Sequence, residues 1–462
     1  MNVGFVGLGK LGLPLAVALS KKHLILGWDV DPELRQKRPY PHRELGPMGF
    51  DDFQQHLDAA DVIFAGSIKE LVEKSEIIFV AVQTPHGQEY EGITRVPETR
   101  ADFDYAYLKL AVKEIVECMW ELEAPIAFPN KIIIVVSTVL PGTMRREILP
   151  IINELGEGIL KAFLVYNPAF PAMGTCMGDF LNPEFVLLGG SDEASLAKME
   201  AFYHDFHNSR RAYGKFVPIR KMSVESAELT KVAYNLFITM KIGYANFLGE
   251  VCHKVPGCDV DDVTDALKQA TDRLLSPRYL ASGFSDSGPC HPRDCIAMSW
   301  LAKELNLSHD LFGQLMEARE SHAEWIVDLV CKEAGCDRQT IKNGYRHWPD
   351  PPKMQIVILG KAYKPETNLT AGSAGMLCAN LLRERGIGFI HYDSFVDGTG
   401  FEGPLRELVQ KEQVNERFVF LIATKHECFK TFGFPQGSVV IDPFRYIPDR
   451  PGVKVVRVGV GA

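Results

Sequence analysis

The stretch NVGFVGLGKLG, Asn2 to Gly12, sets an apolar run against Gly7, Gly9 and Gly12 at G-x-G-x-x-G spacing. The run before the glycines reads as a β-strand, and LPLAVALSKK after them as a helix. Glycine is needed at such a junction for the tight turn, for close approach of backbone to a pyrophosphate and for packing of helix against strand, while the helix N-terminus faces the anion. A second strand, HLILGWD, ends on Asp29, roughly twenty residues on, where a carboxylate hydrogen-bonds a ribose 2′-hydroxyl and repels a 2′-phosphate. These residues predict a βαβ unit that binds NAD rather than NADP, with Gly7, Gly9, Leu11, Gly12 and Asp29 on its cofactor side.

Outward from that unit, SEIIFVAVQTP, KIIIVVSTV and FLVYNP alternate with amphipathic segments such as DFDYAYLKLAVKEIVECMWELEA. This is the pattern of a mostly parallel sheet with helices on both faces. VQTP and STVLPGT follow strands that end at one sheet edge, placing Thr84, Pro85 and Thr138 beside the nicotinamide half of a cofactor. Thr138 reads equally well as a hydroxyl capping the next helix. From about Met222 the chain turns helical, with no strand expected before residue 350. GYRHWPDPPK then reads as a boundary, because proline blocks helix continuation and restricts the residue before it. MQIVILG opens a further α/β unit, continued by GIGFIHYD, RFVFLIAT and GSVVID. The expected divisions are 1–212, an NAD-binding domain; 213–345, a central helical region; and 353–462, a second α/β domain.

A chain of 462 residues exceeds what one core usually serves. Its net charge of -9 argues against a generic nucleic-acid binder. Ten cysteines, irregularly spaced and without paired C-x-x-C units or a zinc-like cluster, read as reduced thiols, with no metal site expected. No basic region precedes the apolar N-terminus, and no apolar run reaches the length of a membrane span. A cytoplasmic location without membrane partners is the expectation.

SGPCHPRD, Ser287 to Asp294, sets Cys290 between two prolines. Read alone, it is a proline-stiffened loop with an inert thiol and no helix-terminus signal. In ESAELTKVAYN, Lys231 and Asn235 stand four apart and share a helical face with Glu228.

Taken in order, the G-x-G-x-x-G unit, STVLPGT, NPAFPAMG, AELTKVAYN, CHPRD and LGKAYKPET resemble the UDP-glucose/GDP-mannose dehydrogenase family over nearly the whole chain. The resemblance implies two Rossmann-like doubly wound domains joined by a central helical dimerisation region, with NAD in the first and a nucleotide sugar in the second. It also implies two hydride transfers, taking the sugar C6 alcohol to a carboxylate through a thioester. On that resemblance Cys290 is the nucleophile and Asp294 positions or deprotonates the hydrolytic water. Lys231 and Asn235 hold the sugar oxygen and stabilise oxyanions, a task suited to preorganised donors. Thr138 joins the catalytic set. Tyr279, Gly288 and Lys364 contact the nucleotide sugar, and Arg273 reaches a neighbouring subunit's sugar site in a homodimer.

The sequence also departs from the family's pattern. NPAFPAMG places Ala169 and Met173 where the family has glutamates, the first of them an acid/base residue assisting water, and alanine cannot move a proton. Pro289 removes a backbone donor beside Gly288, and Ala371 stands where an arginine would meet phosphates. His291 and Arg293 replace the usual residues around the cysteine. The leading reading is a nucleotide-sugar 6-dehydrogenase with a UDP-glucose-type substrate. The alternatives are an enzyme that stops after one hydride, releasing an aldehyde or ketone, and a nucleotide-sugar binding protein without turnover.

Overall fold

The computed structural model describes residues 1–36, 38–47, 49, 51–122, 131–156, 164–208, 216–284, 288–336, 340–342, 345–347, 352–398 and 417–461. The chain divides into two compact units, Met1–Pro85 with Asp102–Tyr234, and His86–Ala101 with Asn235–Ala462.

In the first unit, the opening stretch forms β1 (Asn2–Val6) and α1 (Gly12–Ser20). They are followed by β2 (Leu24–Trp28), β3 (Val62–Phe64), β4 (Ile77–Val80), α2 (Ala106–Glu121), β5 (Ile132–Val135), β6 (Leu164–Tyr166), β7 (Val186–Gly189) and β8 (Ile219–Met222). The eight strands form one sheet in the order β3-β2-β1-β4-β5-β6-β7-β8. Pairing is parallel from β3 to β6, antiparallel between β6 and β7, and parallel between β7 and β8. The first six follow the dinucleotide-binding order, so ligands belong outside their carboxyl ends. Every residue of β4 and β5 is buried, as expected of strands covered on both faces. The short strands β3, β7 and β8 were not expected from the sequence.

The long helix α3 (Val224–Lys254) begins in the first unit and continues in the second. In the second unit α4 (Cys290–Glu304) and α5 (Leu311–Glu333) precede a five-stranded parallel sheet. That sheet comprises β9 (Gln355–Leu359), β10 (Ile390–Tyr392), β11 (Phe418–Ile422), β12 (Val439–Asp442) and β13 (Lys454–Arg457), in the order β10-β9-β11-β12-β13. α6 (Ala374–Glu384) follows β9. Alternation splits its core in two: Ile356, Ile358, Val419 and Leu421 pack on α5 and α6, whereas Val357, Leu359, Phe418 and Phe420 pack on the opposite face. The second α/β unit is therefore doubly wound as well.

One expectation is corrected here. Thr340–Lys342 and Tyr345–His347 form an antiparallel pair, so strands precede residue 350, and the GYRHWPDPPK boundary contains one. Of the rest of that boundary, 344 and 348–351 lie outside the described residues. Among the described residues no helix is long and apolar enough to cross a membrane, and no cluster of His, Cys, Asp and Glu is placed to hold a metal.

Candidate active site

The cofactor end is built from the β1–α1 turn. Gly7 has φ +97, and a Cβ there would come 2.7 Å from the Ala81 carbonyl oxygen. Gly12 is tighter still, since a Cβ would meet the Gly7 carbonyl oxygen at 2.0 Å. Gly9 has nothing within 4 Å of its Cβ position, which leaves open space over the turn. Leu11 precedes α1 without any side-chain cap; in the first turn the Leu13 N–H donates to the Gly9 carbonyl at 3.2 Å and Pro14 has no N–H, so what α1 offers an anion over the turn is the positive end of its dipole. Asp29, at the end of β2, accepts from the Leu8 amide at 2.7 Å and from the Asp31 amide at 3.0 Å. A carboxylate has about four acceptor sites, so it can still take ribose hydroxyls. An open turn, an uncapped helix and an acid tied to that turn fit NAD.

Sequence reasoning missed Arg35. Its guanidinium lies 4.8 Å from the Trp28 ring centre, and its Nε donates to the Asp29 carbonyl, fixing a cation beside the ribose acid.

The loops after β4 and β5 are tied together. The Thr84 hydroxyl donates to the Thr138 carbonyl at 2.7 Å, and the Ser137 hydroxyl to the Val82 carbonyl at 2.7 Å. Thr84 therefore serves first as a loop tie, with Pro85 next to it at the unit's edge. Thr138 itself is half-buried. The Tyr105 hydroxyl accepts from the Leu140 amide at 3.2 Å and from the Thr143 hydroxyl at 3.1 Å, and donates to Asp102 at 2.6 Å. On α3, Glu228 accepts from the Gly142 amide at 2.6 Å and from the Met144 amide at 2.7 Å. Burial pushes its carboxyl up to about 7, against the pull of those two N–H groups. One turn further on, Lys231 is 7% exposed, with its ammonium 4.8 Å from the Phe170 ring centre. Ala169 packs against the apolar core of this unit.

In the second unit, Cys290 is the first residue of α4, where the helix dipole favours negative charge. This corrects the loop reading. Pro289 and Pro292 suit a first helical turn, where amide donors go unused, and that signal was available in the sequence. Asp294 follows one turn later without solvent access; it accepts from Asn235 Nδ2 at 2.7 Å and from Arg293 Nε at 3.2 Å and Nη2 at 3.1 Å. His291 Nδ1 meets the Thr239 hydroxyl at 2.9 Å. The structure thus brings Asn235, Asp294 and the helix that starts at Cys290 together. Lys231 falls in the first unit.

Gly288 has φ +119, and a Cβ there would strike the Tyr363 ring at 2.7 Å. The Lys364 ammonium lies 5.7 Å from that ring's centre, so these two expected ligands share one aromatic neighbour. Tyr279 is 42% exposed and sits at φ +66. The Arg273 side chain lies outside the described residues, as do 285–287 before the cysteine. His86, also unanticipated, belongs to this unit, where its ring stacks on Tyr90 at 4.4 Å between centres.

Two family models match the chain: the NAD binding domain of the UDP-glucose/GDP-mannose dehydrogenase family over residues 1–207, and that family's central domain over residues 225–321. UDP-glucose 6-dehydrogenase TuaD of Bacillus subtilis is 27% identical over 330 residues, 71% of this chain and 62% of TuaD. GDP-mannose 6-dehydrogenase of Pseudomonas aeruginosa is 26% identical over 376 residues, 79% of this chain and 80% of that protein. Among solved structures, a UDP-glucose dehydrogenase from the archaeon Pyrobaculum islandicum aligns with a TM-score of 0.78 at 23% identity, covering 100% of this chain and 98% of that one. This likeness establishes the shared fold.

Proposed function

The chain belongs to the UDP-glucose/GDP-mannose dehydrogenase family, and from that premise we propose that it is a nucleotide-sugar 6-dehydrogenase. It oxidises the C6 alcohol of a UDP-glucose-type substrate to the carboxylate through a thioester on Cys290. The observation that carries this reading is Cys290 at the N-terminus of α4, with Asp294 one turn away and held by Asn235. NAD supplies the hydride acceptor for both oxidations. The chain's own residues do the rest. The Cys290 sulfur adds to the aldehyde carbon, which turns an aldehyde without a transferable hydride into a thiohemiacetal that has one. Lys231 and Asn235 offer a cation and an amide donor to the oxygens that gain charge. Tyr279, Gly288 and Lys364 bind the nucleotide sugar, the second α/β domain from residue 353 carries its nucleotide, and Arg273 serves a neighbouring subunit.

The homodimer belongs to this reading too. Phe237, Met240, Tyr244, Phe247 and Val251 lie exposed along α3 at alternating spacings of three and four. Such a stripe is the seam of a helix pair. A second copy of the chain fits it, and a cytoplasmic site of action fits the free thiols.

A second reading rests on Ala169. With no carboxylate there, the reaction stops after one hydride and an aldehyde or ketone leaves. The deciding experiment incubates the protein with NAD and UDP-glucose, GDP-mannose or UDP-N-acetylmannosamine and counts NADH per sugar consumed. Two NADH support the 6-dehydrogenase and one supports the shorter reaction. Full turnover by Cys290→Ala would refute the nucleophile assignment.

A further inference from the structure

Ala169 has no proton to move, and Asp294, which the resemblance assigns to the hydrolytic water, is fully buried with its oxygens accepting from Asn235 and Arg293, which suits it to holding charge more than to taking the water's proton; the need for a further base rests on the thioester reading above. The segment His86–Ala101 belongs to the same compact unit as Cys290. Its turn Gln88–Tyr90 packs against α4. Gly92, at φ +74, lies so close to Pro292 that a Cβ would come 2.4 Å from the proline Cγ. The Glu91 carbonyl accepts from the Gly372 amide at 2.9 Å, and a Cβ on Gly372 would fall 2.5 Å from the Gly288 carbonyl oxygen. The segment therefore runs alongside the helical turn that Cys290 opens.

His86 stands at its start. The Nε2–H donates to the Ala101 carbonyl at 2.8 Å, and because a carbonyl only accepts, that bond assigns the proton to Nε2 and makes Nδ1 the basic nitrogen. Stacking on Tyr90 fixes the plane of the ring. We propose that His86 is the proton acceptor for hydrolysis of the Cys290 thioester, the role that Ala169 cannot fill.

The surrounding charges agree with that role. Burial is the main influence on His86 and lowers its pKa below the ordinary imidazole value, and Arg293 acts in the same direction, while the Ala101 carbonyl, Asp294 and Glu89 oppose them. The imidazole is thus neutral and able to accept a proton at neutral pH. In the step itself, water gives a proton to Nδ1 as its oxygen attacks the thioester carbonyl carbon. The carbon–sulfur bond breaks, sulfur leaves with the electron pair, and the proton on the imidazolium passes to it. Water and thioester become carboxylic acid and thiol, with no change in oxidation state. Asp294 stabilises the transient imidazolium by its charge.

His86→Gln tests this, since the glutamine amide keeps a donor for Ala101 but has no basic nitrogen. With UDP-glucose or GDP-mannose and NAD, the variant is expected to give a burst of two NADH per site, followed by steady turnover lowered by about 100-fold or more. Intact mass should show the acyl group on Cys290, discharged by hydroxylamine, and added imidazole should restore turnover. Steady turnover within about twofold of wild type overturns the proposal, and so does slow turnover without burst or adduct. Wild-type protein that forms neither NADH nor adduct with either sugar would instead overturn the dehydrogenase reading, and this inference with it. Wild-type deacylation gives a check that needs no variant. Because burial holds the imidazole pKa below its ordinary value, the rate should already be level at neutral pH, whereas a rate still rising tenfold per pH unit at pH 9 would implicate hydroxide and exclude His86.

Discussion

At the residue scale, the fully buried Asp294 accepts hydrogen bonds from two side chains among the described residues, Asn235 and Arg293. Removing one partner of a buried carboxylate costs about 1–3 kcal/mol. Asn235→Ala is expected to lose that much in urea unfolding, in addition to its effect on turnover. Glu228 yields a pH-dependent outcome. Its folded pKa is raised from 4.5 to about 7, so the folded chain holds this proton more tightly than the unfolded one. Stability from this group is therefore full below pH 4.5 and falls as pH rises through 7, by roughly 3 kcal/mol over the whole shift. Relative to wild type, Glu228→Gln should gain stability across that window in melts run at successive pH values, and parallel curves would disprove the linkage. Cys290, Asp294, Lys231 and Asn235 could each be picked out of the sequence. Their partners could not, because the Asn235–Asp294 bond joins residues 59 apart and the Glu228 bonds span more than 80. No local pattern encodes such pairings.

At the scale of the element, the β1–α1 turn separates fold from ligand. Gly12→Ala would drive a Cβ into the Gly7 carbonyl and should cost about 1–3 kcal/mol in stability. Gly9→Ala meets no protein atom within 4 Å. It should melt within a degree or so of wild type while weakening NAD about tenfold or more, and an unchanged NAD affinity by titration calorimetry would exclude a pyrophosphate over Gly9. The long buried strands were legible because covered parallel strands read as unbroken apolar runs. β3 is too short for periodicity to register, and β8 sets two exposed cations, Arg220 and Lys221, between half-buried ends, which hides it from a search for apolar runs. The start of α4 was misread for a different reason: prolines usually signal a loop, but the first turn of a helix accepts them.

At the scale of the whole molecule, the exposed stripe on α3 is the feature that most needs a partner. Tyr244→Glu would set a charge in the seam proposed for two copies, and is expected to convert the proposed dimer to monomer in sedimentation; an undisturbed dimer would place the interface elsewhere. The two-unit division carries a further consequence. Residues His86–Ala101 leave the first unit and return to it, so the chain passes between units at 85/86, at 101/102 and at 234/235. During synthesis, the first sheet can close once residue 222 has left the ribosome, but the segment bearing His86 must wait for α4, about two hundred residues later in the order of emergence. A truncated chain ending at Tyr234 would thus keep every strand of the first sheet and carry one segment whose packing partners it lacks. Limited proteolysis of such a fragment should cut first between residues 86 and 101.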